Sequence, residues 1–140
     1  MSDSDSVFFD TTILIYAVSD ANPRAAVAED LLSAGGHISV QVLNEFAAVA
    51  RRKLNMSWDE ITEALGTIRA LCETPAPLTV EVHESALKLA ALYRYHIYDA
   101  LILAAALESG CNTLYSEDMQ DGQQIGLLTI RNPFVEKLRA

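Results

Sequence analysis

Basic residues are scarce: 10 Lys and Arg stand against 19 Asp and Glu, for a net charge of −9. Taken alone, that balance argues against a nucleic-acid partner, because phosphate binding needs basic groups and runs on released counterions. A sum is only an average, however, and acids gathered at one site with bases around its rim give the same total. Cysteine is nearly absent. Cys72 and Cys111 lie far apart with no C-x-x-C pair, so they read as two reduced thiols rather than a disulfide framework. Histidine is sparse too; His37, His83 and His96 are scattered without an H-x-x-x-H pair, which excludes the usual zinc patterns. Aromatics make up 7% of a chain that is 51% hydrophobic, so the core is aliphatic and Ala-rich, and a disordered acidic tail is excluded. The longest purely apolar run, Ala100 to Leu107, is far too short for a transmembrane helix. Residues 1–6 carry neither a basic segment nor an apolar stretch, so a solvated tail is expected rather than a signal peptide, and with it a cytoplasmic protein. There is no internal repeat and no low-complexity segment.

What is present is a 140-residue chain, the size of one domain, expected to run from 7 to 140. Val7-Phe8-Phe9 reads as a short buried strand, followed after Asp10-Thr11-Thr12 by a first helix through Ile13–Tyr16. Asn22-Pro23 starts a second helix, and Gly35-Gly36 stop it. A strand is expected at 37–40 and a helix over 41–53. Ser57-x-x-Glu60 is a capping box that opens a helix reaching about Leu71. After the break at Thr74-Pro75-Ala76-Pro77, a third strand is expected at 78–80 and a helix at 82–95. Asp99 then opens a helix over 100–108 that is apolar nearly all round, as a buried helix is. Strands at 113–116 and 126–130 complete the order. Alternating short strands and helices predict a three-layer α/β/α domain with a central, mainly parallel five-stranded sheet.

In such a sheet, ligands bind at the carboxyl ends of the strands. Asp10 follows the first strand, Glu45 lies early on the helix after the second, Asp118 comes just after the fourth, and Asp99 opens the buried helix. All four are expected along one edge. Each alone reads equally as a helix cap, a solvated face or a turn residue. Together they are harder to explain that way. Asp10 and Asp99 sit among Phe9, Ile13, Tyr98 and Leu101, where an unpartnered carboxylate is costly. Two carboxylates about 4 Å apart repel by roughly 4 kcal/mol at an effective dielectric of 20. No Lys or Arg lies in these segments to neutralise them, whereas a divalent cation would. An all-oxygen, carboxylate-rich site suits Mg²⁺ or Mn²⁺ and phosphoryl chemistry. Arg52, seven residues beyond Glu45, shares its helix face. It reads either as a phosphate contact at the rim or as favourable charge at a helix C-terminus.

Phe8-Phe9-Asp10-Thr11-Thr12-Ile13-Leu14-Ile15-Tyr16 resembles the opening motif of PIN domains. Asn44-Glu45-Phe46 is similar to the second motif, Tyr98-Asp99-Ala100-Leu101-Ile102-Leu103 to the third, and Leu114 to Gly122 to the fourth. Ile130 to Phe134 resembles the closing strand and turn. The four motifs in this order and spacing cover the chain from about Val7 to Phe134. Among PIN proteins, a small one-domain chain looks most like the VapC-type toxins of bacterial toxin–antitoxin pairs. That resemblance implies a Mg²⁺-dependent endoribonuclease, held inactive by a cognate antitoxin and usually a homodimer, with RNA as substrate. It makes Asp10, Glu45, Asp99 and Asp118 the metal-binding and catalytic acids, with Asp121, Thr11 and Ser116 as auxiliary groups. Thr12 departs from the family, where many members carry Asn. An antitoxin is expected on the helices at 41–53 and 58–71, anchored on Val42, Phe46, Val49, Trp58, Ile61 and Leu65. Other readings are a PIN fold that binds without turnover and a housekeeping nuclease with no antitoxin. A haloacid-dehalogenase phosphatase would need an acid at Thr12, and a receiver module would need an acid pair after the first strand; neither is present.

Overall fold

The computed structural model describes residues 6–19 and 22–135. Of the expected N-terminal tail, residues 1–5 lie outside the described residues. Ser6 is already tied to the sheet, its carbonyl accepting the Asn112 N–H at 2.9 Å.

The elements run β1 (Val7–Phe9), α1 (Thr11–Ala17), α2 (Ala25–Ser33), α3 (Val40–Lys53), α4 (Trp58–Leu71), α5 (Val80–Tyr93), α6 (Ile97–Glu108), β2 (Thr113–Tyr115), β3 (Gln124–Ile125) and β4 (Leu128–Arg131). The sheet has the order β1-β2-β4-β3. β1 pairs parallel with β2, and β2 parallel with β4, while β3 joins the edge of β4 antiparallel. This is the α/β class with a mainly parallel sheet that the alternation of elements predicts.

The sheet has four strands rather than five, and local chemistry accounts for the difference. The expected strand at 37–40 is present only as isolated bridges, from His37 to Phe8 and from Ser39 to Ala76. It is cut short because the Ser39 hydroxyl accepts the Val42 N–H and turns the chain into α3. Residues 78–80 form no strand, because the Thr79 side chain caps α5 in the same way. Pro75 and Pro77 flank the bridging Ala76 and have no N–H to donate to a ladder. The expected strand at 126–130 begins only at Leu128, as β4, because Gly126 at φ +61° turns the chain, a backbone conformation glycine adopts without strain; the short β3 before that turn was not expected.

α6 explains its own composition. Ile102, Leu103, Ala105 and Ala106 pack into the main core with Phe8, Leu114 and Ile130. Ala100, Leu101 and Ala104 form a second cluster with Val82 and Ala86 of α5. The helix is therefore covered on both sides, as a run of apolar residues without a polar face requires. It begins earlier than expected: His96 is the N-cap, and Asp99 lies within the first turn rather than at the cap. Gly36 is needed for packing. A Cβ there would sit 2.6 Å from the Phe9 ring and 2.8 Å from Val7.

Candidate active site

Two of the four acids, Asp10 and Asp118, lie just beyond the C-terminal ends of β1 and β2, while Glu45 and Asp99 stand on α3 and α6. Asp10 follows β1, and its N–H donates to the Tyr115 carbonyl at 3.0 Å, carrying the ladder one step past the strands. Its carboxylate caps α1, Oδ1 accepting the Thr11 N–H at 2.6 Å. Oδ2 accepts the Ser116 hydroxyl at 2.7 Å, and Ser116 Oγ in turn accepts the Met119 N–H at 3.2 Å. Only 2% of Asp10 is exposed. Burial pushes its carboxyl up to about 7 against the two hydrogen bonds, and the charges of Asp99 and Asp118 add to the rise.

Glu45 sits in the second turn of α3. Its Oε1 accepts the Thr11 hydroxyl at 2.9 Å, and its Oε2 accepts the Gln41 side-chain amide at 2.8 Å. Thr11 thus holds two acids at once, Asp10 through its N–H and Glu45 through its hydroxyl. Asp99 is half-buried; burial raises its carboxyl first, then repulsion from Glu45 and Asp118, with His96 opposing. Asp118 lies at the solvent edge, raised by the surrounding protein and by Glu117 and lowered by Lys53. The four acids therefore share one electrostatic neighbourhood. Thr11 and Ser116, implied by resemblance alone, are buried beside them. Asp121 is turned to other use, Oδ1 accepting the Asn132 N–H at 2.8 Å and fastening the β3–β4 segment. The Thr12 hydroxyl is buried without a hydrogen-bond partner among the described residues, so this departure from the family leaves no compensating bond.

The loop carrying Asp118 is fixed by its neighbour. Glu117 pairs with Arg24 at 2.7 Å and accepts the Tyr16 hydroxyl. Burial first, then Glu117, pushes that hydroxyl up to about 12, so it stays a donor. The Arg24 guanidinium lies 5.4 Å from the Tyr16 ring centre and 5.9 Å from that of Phe134. Among the described residues this is the only ion pair, so none of the four acids is neutralised by a Lys or Arg contact.

A groove of about 590 Å³ opens beside Glu45 and Asp99, walled by Asn44, Ala48, Val49 and Arg52 of α3 and by Tyr98 of α6. It lies between α3 and the start of α6, not between α3 and α4 as expected. Val42, Phe46 and Ile61, offered as anchors for a partner, are instead spent in the core. Val49 and Leu65 are half-buried, and Trp58 is 60% exposed beneath the Arg51 guanidinium, 5.3 Å from its ring centre. Gln41, Asn44, Tyr98 and Glu117 were not singled out from the sequence. For Gln41 the signal was there, since it stands four residues before Glu45 on one helix face.

Among the described residues, no three His, Cys, Asp or Glu side chains converge into a closed metal cage. The chemistry of the donors fits Mg²⁺ or Mn²⁺: oxygen ligands, clustered negative charge, and a buried Asp10 carboxyl strained upward to about 7.

The family model of the PIN domain matches residues 7–120. No curated protein matches the chain in sequence. Solved structures do match in fold. VapC20 of Mycobacterium tuberculosis, a sarcin-ricin loop cleaving toxin, superposes with a TM-score of 0.68 at 21% identity, over 81% of this chain and 90% of that one. A toxin–antitoxin complex from Klebsiella pneumoniae gives 0.69 at 20% identity, over 91% and 98%. VapBC2 from Rickettsia felis, bound to a promoter DNA fragment, gives 0.65 at 18% identity, over 89% and 96%.

Proposed function

The chain belongs to the PIN domain family, and from that premise we propose that it is a Mg²⁺- or Mn²⁺-dependent endoribonuclease, the toxin of a toxin–antitoxin pair. The observation that carries the reading is the buried Asp10 carboxyl, pushed up to about 7 beside Asp99 and Asp118. Buried acids raised by desolvation and by neighbouring carboxylates cluster at functional sites, and here Thr11 ties Asp10 and Glu45 together.

Asp10, Glu45, Asp99 and Asp118 would hold the cation. When bound, it supplies an acidified water and offsets charge growing on the phosphate oxygens. The chain's own groups do the rest. Ser116 and the Thr11 N–H orient the Asp10 carboxylate, and Thr11 and Gln41 orient Glu45. One of Asp99 and Asp118 would also take the proton that the attacking water loses. Arg52 and Lys53 bring positive charge to the rim of an otherwise acidic edge, where a phosphodiester needs it. Arg51 is engaged elsewhere, donating to the Met56 carbonyl at 3.1 Å.

Support for an antitoxin comes from the fold-mates, several of which are toxin–antitoxin complexes. A cationic side chain of such a partner would neutralise the four acids, and exposed Trp58 and Leu54 at the end of α3 offer it apolar contact. Residues 7–140 are taken as one domain, acting in the cytoplasm and as a homodimer; no helix among the described residues is long and apolar enough to cross a membrane.

The test is cleavage of a mixed RNA pool with Mg²⁺, Mn²⁺ or chelator. Asp10→Asn and Asp99→Asn are each expected to lose at least about 100-fold in rate while keeping a cooperative melt. Activity within twofold of the parent in either variant would refute the assignment. Metal-responsive binding of RNA without any turnover in the parent would replace the nuclease by a binding module. Expression from the native locus is expected to yield a small co-purifying partner, and recovery of the lone chain would argue for a housekeeping enzyme instead.

A further inference from the structure

Tyr98 is placed unlike the rest of its helix. Residues 100–106 of α6 are all buried, whereas Tyr98 is 54% exposed and stands on the groove wall immediately before Asp99. Its ring lies beside that of His96, the two ring centres 5.2 Å apart, and His96 itself is held by the backbone N–H of Tyr98, which donates to its Nδ1 at 3.3 Å. From α3, Ala48 and Val49 give the same groove its apolar lining, and Arg52 lines it one helical turn further along that helix. A flat aromatic face, an apolar lining and a guanidinium in one slot match a nucleobase with its phosphate.

We propose that Tyr98 and Arg52 form a subsite for one unpaired nucleotide of the RNA substrate, the base stacked on Tyr98 and its phosphate on Arg52, next to the bond that is cut. The inference rests on the nuclease reading and names which RNA the site takes. Other occupants match less of the slot. An acidic peptide would meet Glu45 and Asp99, and free phosphate makes no use of the ring. A base inside a duplex is already stacked and cannot reach Tyr98 without being flipped out. Asn44, exposed on the same wall, can pair with a base edge. Stacking on one aromatic tolerates any base, so the subsite selects unpaired over paired RNA rather than one letter over another.

The experiment measures anisotropy of a fluorescein-labelled, unstructured mixed-sequence RNA 12-mer and of the matching 12-base-pair RNA duplex, in Mg²⁺, on an Asp10→Asn background that does not cut the probe. Adding Tyr98→Ala is expected to weaken single-strand binding about 10-fold or more and to leave duplex binding unchanged, while Tyr98→Phe stays within threefold. Arg52→Gln is expected to weaken both and to flatten the slope of log Kd against log salt by about 0.7 on the single strand. In the cleavage-competent chain, Tyr98→Ala is expected to raise KM far more than it lowers kcat. Single-strand binding by Tyr98→Ala within twofold of its background, with the parent chain still cutting RNA, would overturn the subsite alone. A parent chain that neither cuts nor binds either RNA would overturn the nuclease reading and the subsite together.

Discussion

Asp10→Asn exchanges an enclosed carboxylate for an uncharged isostere, and in metal-free protein above neutral pH it is expected to stabilise the fold. The carboxyl rises from 3.8 to about 7 on folding. Between those values the native state holds the proton more tightly than the unfolded chain. Wild-type stability therefore falls as pH rises through this window, and the full penalty is present above about pH 7. A gap of about 3 units at 1.36 kcal/mol each is roughly 4 kcal/mol. Asn gives part of this back. Its Oδ1 can keep the Thr11 N–H, but its amide then faces Ser116 Oγ, which must turn from donor to acceptor. That oxygen already accepts the Met119 N–H, and a hydroxyl has two lone pairs, so the exchange is possible. The gap already nets off the two hydrogen bonds to the charged carboxylate, and what Asn costs is the strain of the reversed bond to Ser116, about 1–2 kcal/mol. The net gain is about 2–3 kcal/mol, a rise in Tm of about 5–10 °C at pH 8. At pH 4 the gain vanishes, because the wild-type carboxyl is then protonated in the fold. The assay is a thermal melt followed by circular dichroism, with chelator, at pH 4, 6 and 8. Acids remote from the site titrate alike in both proteins, so the difference reports Asp10 together with its coupling to Asp99 and Asp118. A variant that melts below wild type at pH 8, or with one constant offset at every pH, would refute the reasoning.

Metal should also stabilise the parent. At a hundredfold excess over Kd it adds about 2.7 kcal/mol, or about 5–10 °C, with Mn²⁺ at least as effective as Mg²⁺. That rise is expected to shrink sharply in Asp99→Asn and to persist in Glu29→Gln, which is exposed on α2; equal responses in the two melts would make the acids ordinary surface charges. Gly36→Ala is expected to cost about 1–3 kcal/mol in denaturant unfolding, because the new Cβ meets the Phe9 ring at 2.6 Å and the ring is locked in the core; a neutral result would mean that the ring moves freely. Ser57→Ala removes one half of the capping box of α4 and should lower stability by about 1 kcal/mol without altering the metal response.

Much of the site was legible because its signals are local. Asp10 comes directly after a run that is a strand, and Ser57-x-x-Glu60 is a cap whose two bonds lie within four residues. The apolar run of α6 announced a helix covered on all sides. Reading failed where one residue had two local options. Ser39 and Thr79 lie in extended segments but cap helices, so the strands expected around them are shortened or lost. The start of α6 was misplaced for a similar reason, since His96 caps it through Nδ1 and an acid at 99 looks like the better cap. The partner surface was misjudged because a helical stripe of Val42, Phe46 and Ile61 fits a core as well as a groove, and periodicity carries no information about which neighbour fills it.

By itself the sequence determined the α/β class, the helices, the capping box at Ser57, and the four acids with the oxygen chemistry they share. Only the tertiary structure decided how those acids are held. Thr11 reaches Glu45 across 34 residues, and Ser116 reaches Asp10 across 106. The second bond exists because β1 and β2 pair parallel with Phe9 opposite Tyr115, which sets Asp10 and Ser116 side by side at the same end of the sheet, and the first because the Phe8–His37 bridge brings the start of α3 beside α1. A different register would leave every local propensity unchanged and would separate the carboxylate from its hydroxyl. Long-range pairing of that kind is settled by packing of the whole core, with Phe8, Leu114 and Ile130 buried together, and no window along the chain contains it.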